Sequence, residues 1–194
     1  MGTVVGVFNP QITIAYAEGD KEKLVDIIKS CNRILIFIMS IPIAFLTAYG
    51  RDFYALWQPT KDPDMLQRLS LLAVGVLYVS MSIQVLYHVF IITKKVKWNS
   101  LVVLGSGICS SLLSLILLSK TDLGVACFPL SSMLTGVLRN MIFTPIYAAR
   151  CLEIRWNRFY SDIFLGFASI GTITVLGLLS RMIVPIHSWI ILLL

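Results

Sequence analysis

Residues Ser100–Ser119, SLVVLGSGICSSLLSLILLS, decide the fold class. The stretch carries no charge, and lysines bracket it: Lys94, Lys95 and Lys97 before, Lys120 after. A bilayer's hydrocarbon core is about 30 Å thick and a helix rises about 1.5 Å per residue, so about 20 apolar residues cross it. Working outward, comparable runs fall near residues 34–57, 69–92, 124–149 and 163–180. The expected fold is all-α: a polytopic transmembrane helix bundle of about five full spans, with partial helices at both ends. Residues 1–16 are apolar but too short to span, and read as the tail of one transmembrane helix. Residues 189–194 read as the beginning of another, so the chain is expected to be cut at each end.

Composition agrees. Of the 194 residues, 57% are apolar and 13% charged, and the mean hydropathy is +0.85. Soluble chains carry about 25% charged residues, so there is too little charge here to cover a water-exposed surface. That argues against a soluble enzyme, a disordered tail or a nucleic-acid-binding domain. The net charge of +6 does not call for DNA or RNA, because the basic residues sit in short clusters between apolar runs. Such clusters meet lipid headgroups and set insertion topology. Cys31, Cys109, Cys127 and Cys151 form no C-x-x-C pair, so neither a disulfide nor a metal site is expected.

Strict alternation of five spans sorts the lysines and arginines. Lys21, Lys23, Lys29, Arg33, Lys94, Lys95, Lys97, Arg150, Arg155 and Arg158 fall on one side. Arg51, Lys61, Arg68, Lys120 and Arg181 fall on the other, and Arg139 lies inside a run. Basic residues are enriched in cytoplasmic loops, which makes loops 17–33, 93–99 and 150–161 cytoplasmic. Trp57, Trp98, Trp156 and Trp189 all fall near the expected interfaces, where aromatic belts form. Within 17–33, Leu24, Ile27, Ile28 and Cys31 recur at helical spacing with charges opposite. This amphipathic segment is expected to lie in the cytoplasmic interface and to lead into the first span, residues 34–57.

No phosphate-binding loop, H-E-x-x-H, G-x-S-x-G or paired-carboxylate motif appears, so no enzyme chemistry and no cofactor are expected. All ten acidic residues fall in loops or at helix ends, and none is expected to be buried in the membrane. The informative residues are polar ones inside the apolar runs. Arg139 lies near the middle of the fourth run, where an arginine costs about 2.5–3.5 kcal/mol on insertion scales. Ser132, Thr135 and Gly136 share its helix face. Arg139 either faces a cavity and grips an anion bidentately or snorkels to the headgroups. Ser80, Gln84 and His88 stand at i, i+4 and i+8 in the second run, lining a wet cavity or forming an interhelical hydrogen-bond ladder. Ser106, Ser110 and Ser114 repeat that spacing in the third run and read as a packing seam. Asn9, beside Pro10, is a polar interruption expected to face the same interior. Pro42, Pro129 and Pro145 are expected to kink or break their helices.

The segment from Phe8 to Trp57 also forms a pattern. It contains Pro10, then Ala17-Glu18-Gly19-Asp20 and a charged stretch, then Ile41-Pro42, and finally Phe53-x-x-Leu56-Trp57. This resembles the polysaccharide and O-antigen flippases of the MOP (multidrug/oligosaccharidyl-lipid/polysaccharide) exporter superfamily, specifically their C-terminal half. Pro145-x-Tyr147, followed by a basic loop and Phe159-Tyr160, is similar but less specific. The resemblance implies two pseudo-symmetric bundles around a central cavity, of which the N-terminal bundle is missing here. Residues 1–16 would correspond to the end of the eighth helix and the later runs to the ninth to fourteenth. It implies a multi-pass protein of the inner (plasma) membrane that moves a lipid-linked oligosaccharide between leaflets for polysaccharide or lipopolysaccharide biosynthesis. The partner would be a polyprenyl diphosphate, whose anionic group Arg139 would meet. The cavity residues are not carried over from the family; Arg139, Gln84, His88, Ser80, Thr135 and Asn9 rest on this sequence alone.

Three other readings compete. A drug/cation antiporter of the same superfamily would want a buried carboxylate for coupling. A glycan-polymerising membrane enzyme would want a long outer loop, and only residues 50–68 qualify. A truncated, non-functional transporter is the third.

Overall fold

A computed structural model describes residues 2–183, with side chains for residues 6–181. The run at 189–194 lies outside the described residues. Helices joined by short turns make up the described chain, and no strand occurs among them.

Helix α1 (Gly2–Ala17) ends in a turn where Gly19 takes φ +76°, a conformation glycine adopts at no steric cost. The next residue, Asp20, caps α2 (Lys21–Trp57) by accepting a hydrogen bond from the Lys23 N–H at 3.0 Å. The Ala17-Glu18-Gly19-Asp20 stretch is therefore a helix stop followed at once by a helix start. Helix α2 then runs unbroken for 37 residues, about 55 Å at about 1.5 Å per residue. From Lys21 on, the segment 17–33 is not a separate helix but is continuous with the first span. No helix breaker stands near Arg33, and the apolar face of Leu24, Val25, Ile28 and Cys31 is buried in the protein core. Pro42 does not end α2 either. At its far end Phe53, Tyr54 and Trp57 form an aromatic cluster.

The second passage is interrupted. It consists of α3 (Pro63–Val74), α4 (Leu77–Ser80) and α5 (Leu86–Ile92). Between them the chain stays wound but tightens into three-residue turns, with Ser82 N–H bonding the Val79 carbonyl, Ile83 that of Ser80 and Leu86 that of Ile83. No proline lies in this passage after Pro63. The interruption is tolerated because it is enclosed by protein: Val79, Met81, Ser82, Ile83, Val85 and Leu86 are all buried.

Helix α6 (Val96–Lys120) is unbroken and faces outward, with Leu104, Leu112, Leu115 and Ile116 exposed. The next passage comprises α7 (Cys127–Leu138), one wide π turn (Arg139–Phe143) and α8 (Thr144–Cys151). Pro145 explains the wide turn. It has no N–H to offer the Met141 carbonyl, and the Tyr160 hydroxyl donates to that carbonyl instead, at 2.9 Å. The last described helix is α9 (Tyr160–Ile183). Among the described residues, four passages are long and apolar enough to cross a membrane: Lys21–Trp57, Val96–Lys120, Gly124–Cys151 and Tyr160–Arg181. The expected fifth full span, 69–92, is the broken one.

The broken passage occupies the middle of the bundle. It touches α2, α7, α8, α9 and the π turn, with α6 at the periphery. Helices α2 and α9 run parallel, joined at the start by Asn32 and Asp162, and toward the far end by Gly177 against Ala48 and, about one turn on, the Arg181–Asp52 ion pair at 2.9 Å. The loops after α1, α5 and α8 gather at one end, where Lys21 pairs with Glu153 and the Tyr147 hydroxyl donates to the Lys95 carbonyl.

Candidate functional site

Small residues let the helices near Arg139 approach closely. Gly136 on α7 faces Val76, and Gly75 faces Met133, so that a methyl group at either glycine would collide with its neighbour. This close contact pulls the π turn toward the broken passage. Arg139 opens that turn and is half-buried. Its Nε donates to Asn140 Oδ1 at 3.2 Å and its Nη1 to Ser106 Oγ on α6 at 3.2 Å. Asn140, 1% exposed, also accepts from the Tyr87 hydroxyl on α5 at 3.0 Å. One asparagine oxygen thus joins α5 to the π turn, and one arginine joins the turn to α6.

All these partners are neutral. No carboxylate among the described residues pairs with Arg139. The guanidinium lies in the middle of an apolar passage, at the kind of local helix widening that recurs at functional sites.

The remaining sequence-derived candidates fall around this cluster unevenly. Thr135 turns its hydroxyl back to the Ser131 carbonyl at 2.9 Å, so its bond is spent on its own helix. Ser132 meets Ser110 across the α6–α7 seam at 3.3 Å, and Ser106 meets Arg139, so two of the three α6 serines bond across that seam. Ser80 ends α4, which contacts both the π turn and α9. Gln84 is half-buried in the tightened turns. His88 is half-buried on α5, with Nε2 buried and without a hydrogen-bond partner. Asn9 is half-buried on α1, with Oδ1 likewise unpartnered. The interruption ends the regular i, i+4, i+8 stripe at Ser80, and Tyr87 makes the contact with the π turn. No trio of His, Cys, Asp or Glu able to hold a metal is gathered among the described residues.

Four residues were not picked out from sequence: Tyr87, Asn140, and the pair Asn32 and Asp162. Asn140 carried a signal, a second polar residue beside Arg139. Asn32 did too, standing one turn after Ile28 on the buried face of α2. Asp162 lies in the first turn of α9, as a carboxylate at a helix end should, yet it is 1% exposed and accepts from Asn32 Nδ2 at 3.2 Å. Its helix-end position is the one expected from the sequence. The packing of α9 along α2 encloses it.

Among known proteins, the chain is similar to EpsK of Bacillus subtilis (strain 168), described as an uncharacterized membrane protein. The two are 26% identical over 188 residues, covering 97% of this chain and 37% of EpsK. The chain thus spans well under half the length of the curated relative it matches. No family model matches, and no solved structure matches. The apolar helices and this similarity together make the chain a membrane-embedded helical protein.

Proposed function

We propose that this chain forms part of a transporter that carries a lipid-linked oligosaccharide across the plasma membrane, with Arg139 meeting the diphosphate that joins sugar to lipid. The observation that carries the reading is a half-buried arginine, deep in a transmembrane passage, whose partners Asn140 and Ser106 are both neutral. A charge held there without a counter-ion favours an arriving anion, and a guanidinium matches phosphate oxygens bidentately. The resemblance of the Phe8–Trp57 pattern to polysaccharide flippases supplies the substrate class. The interrupted central passage supplies the moving part, since broken helices at the midplane recur where transporters rock around a bound substrate. Alternating access would need a second bundle beside this one. The basic end, with its ten lysines and arginines, is taken as cytoplasmic. The proposal assigns no covalent chemistry to the chain.

The test is reconstituted flipping of a fluorescent polyprenyl-diphosphate sugar by the intact transporter containing this chain. Arg139→Ala and Arg139→Lys both lower the rate, because lysine keeps the charge but loses the two-pronged grip. Normal flipping by Arg139→Ala at equal membrane abundance removes Arg139 from the site. Buried Asp162 favours a second reading, a cation-coupled antiporter of the same superfamily. Transport that depends on a sodium or proton gradient and is lost in Asp162→Asn would select it.

A further inference from the structure

The basic end contains a cavity of about 700 Å³ lined by Lys94, Lys95, Lys97, Trp98, Tyr147 and Arg150, with Phe143 beside them. Its volume lies within the range of small-ligand sites, about 300–1,000 Å³. None of the four cations forms an ion pair with a described carboxylate. The nearby carboxylate Glu153 is engaged by Lys21 at 2.8 Å.

Two features set these lysines apart from an ordinary basic loop. First, Lys94 has φ +55°. It closes α5 in a paired-bond cap, with the Lys95 N–H bonding the Phe90 carbonyl and the Lys94 N–H that of Ile91. Glycine fills that position without strain and is the usual occupant. Second, Lys94, Lys95 and Lys97 crowd the N-terminus of α6, where the helix dipole is positive and an acidic residue stabilises. Helix α6 has no acidic residue in its first turn and no side-chain cap. Local stability therefore disfavours a lysine at all three places, and an anion bound among them offsets the charge penalty at the helix start.

The walls are specific as well. Phe143 and Tyr147 stack with ring centroids 5.0 Å apart, and the Tyr147 hydroxyl holds the lysine loop through the Lys95 carbonyl at 2.9 Å. Trp98 stands 62% exposed at the rim, as a tryptophan does at the headgroup level of a membrane.

We infer that this cavity is a binding site for a doubly charged phosphate or diphosphate group. Lys94, Lys97 and Arg150 neutralise it, and the N–H groups at the start of α6 donate to its oxygens. The aromatic wall covers whatever the phosphate is attached to. The group belongs either to a lipid headgroup or to a soluble phosphate compound. The inference rests on the basic end alone and holds whether or not Arg139 contacts a substrate.

The experiment is native mass spectrometry of the whole chain in detergent, titrated with phosphatidic acid, phosphatidylcholine and inorganic pyrophosphate. One molecule of phosphatidic acid binds saturably, about tenfold more tightly than phosphatidylcholine. The triple variant Lys94→Gln/Lys97→Gln/Arg150→Gln loses that preference. The charge-keeping Lys94→Arg/Lys97→Arg retains it, and a wild-type far-ultraviolet circular dichroism spectrum of the triple variant shows that its loss is not misfolding. Arg155→Gln/Arg158→Gln, at the same end but outside the cavity, changes affinity by less than about twofold. Displacement by millimolar pyrophosphate shows that the phosphate alone is read, whereas binding of phosphatidic acid without displacement assigns the site to lipid. Equal affinity for the two lipids without pyrophosphate binding, or equal losses in the cavity and control variants, overturns the inference. Flipping by Arg139 variants is a separate readout, so failure here leaves that reading untouched.

Discussion

Replacing Asn140 with leucine removes the acceptor shared by the Tyr87 hydroxyl at 3.0 Å and Arg139 Nε at 3.2 Å. Asn140 is 1% exposed, so water does not take its place. Hydrogen bonds between transmembrane helices average about 0.6 kcal/mol and reach about 1.7 kcal/mol. A bond to a charged donor is the stronger of the two here, so the pair together gives about 1–3 kcal/mol for Asn140→Leu. Tyr87→Phe breaks only the first bond and costs about 0.6 kcal/mol. In the double variant that bond is already absent, so the total stays near that of Asn140→Leu alone and the coupling is about 0.6 kcal/mol. The assay is reversible unfolding in mixed detergent micelles followed by far-ultraviolet circular dichroism, with wild type and three variants in parallel. If Asn140→Leu changes stability by less than about 0.3 kcal/mol, or the two substitutions add strictly, Asn140 does not tie α5 to the π turn.

Other perturbations reach different parts of the bundle. Asn32→Leu removes the hydrogen bond to buried Asp162 and lowers unfolding stability by about 1.5–3 kcal/mol if that carboxyl is ionised, whereas an unchanged midpoint denies the pair a structural role. The Lys21 ammonium holds the exposed Glu153 carboxyl below its ordinary value of 4.5. A depressed folded-state value stabilises the fold above 4.5 and ceases to do so as pH falls through that depressed value. The small stability difference between wild type and Glu153→Gln is therefore present at neutral pH and vanishes in acid; a difference that grows in acid contradicts the pairing. With Cys109→Ala as background, since Cys31, Cys127 and Cys151 are buried, an impermeant thiol reagent labels Lys95→Cys and Lys120→Cys from opposite sides of sealed vesicles. Labelling of both from one side defeats the alternation of passages.

Length and hydropathy alone determined that this is a helical membrane protein with its basic residues biased to one end. Those properties are sums over a run, and an uncharged twenty-residue segment such as Ser100–Ser119 has no other stable state in lipid. The end of the first helix near residue 16 was equally legible, whereas the turn at Gly19 and the cap at Asp20 emerged from the structure. Arg139 stood out because a charge in an apolar run is costly wherever the run folds.

What tertiary structure decided were the irregularities and the partners. The passage 69–92 has the hydropathy of a plain span, yet it breaks between Gly75 and Leu86 at the buried centre of the bundle. A regular 3.6-residue period therefore could not carry the register from Ser80 through Gln84 to His88. Asp162 looked like an ordinary helix-end carboxylate until the parallel packing of α9 on α2 enclosed it against Asn32. Arg139 found Ser106 thirty-three residues away. Each of these depends on which helix lies beside which. That neighbourhood is fixed by side-chain packing and close approaches such as Gly136 on Val76, which hydropathy summed along a chain does not record.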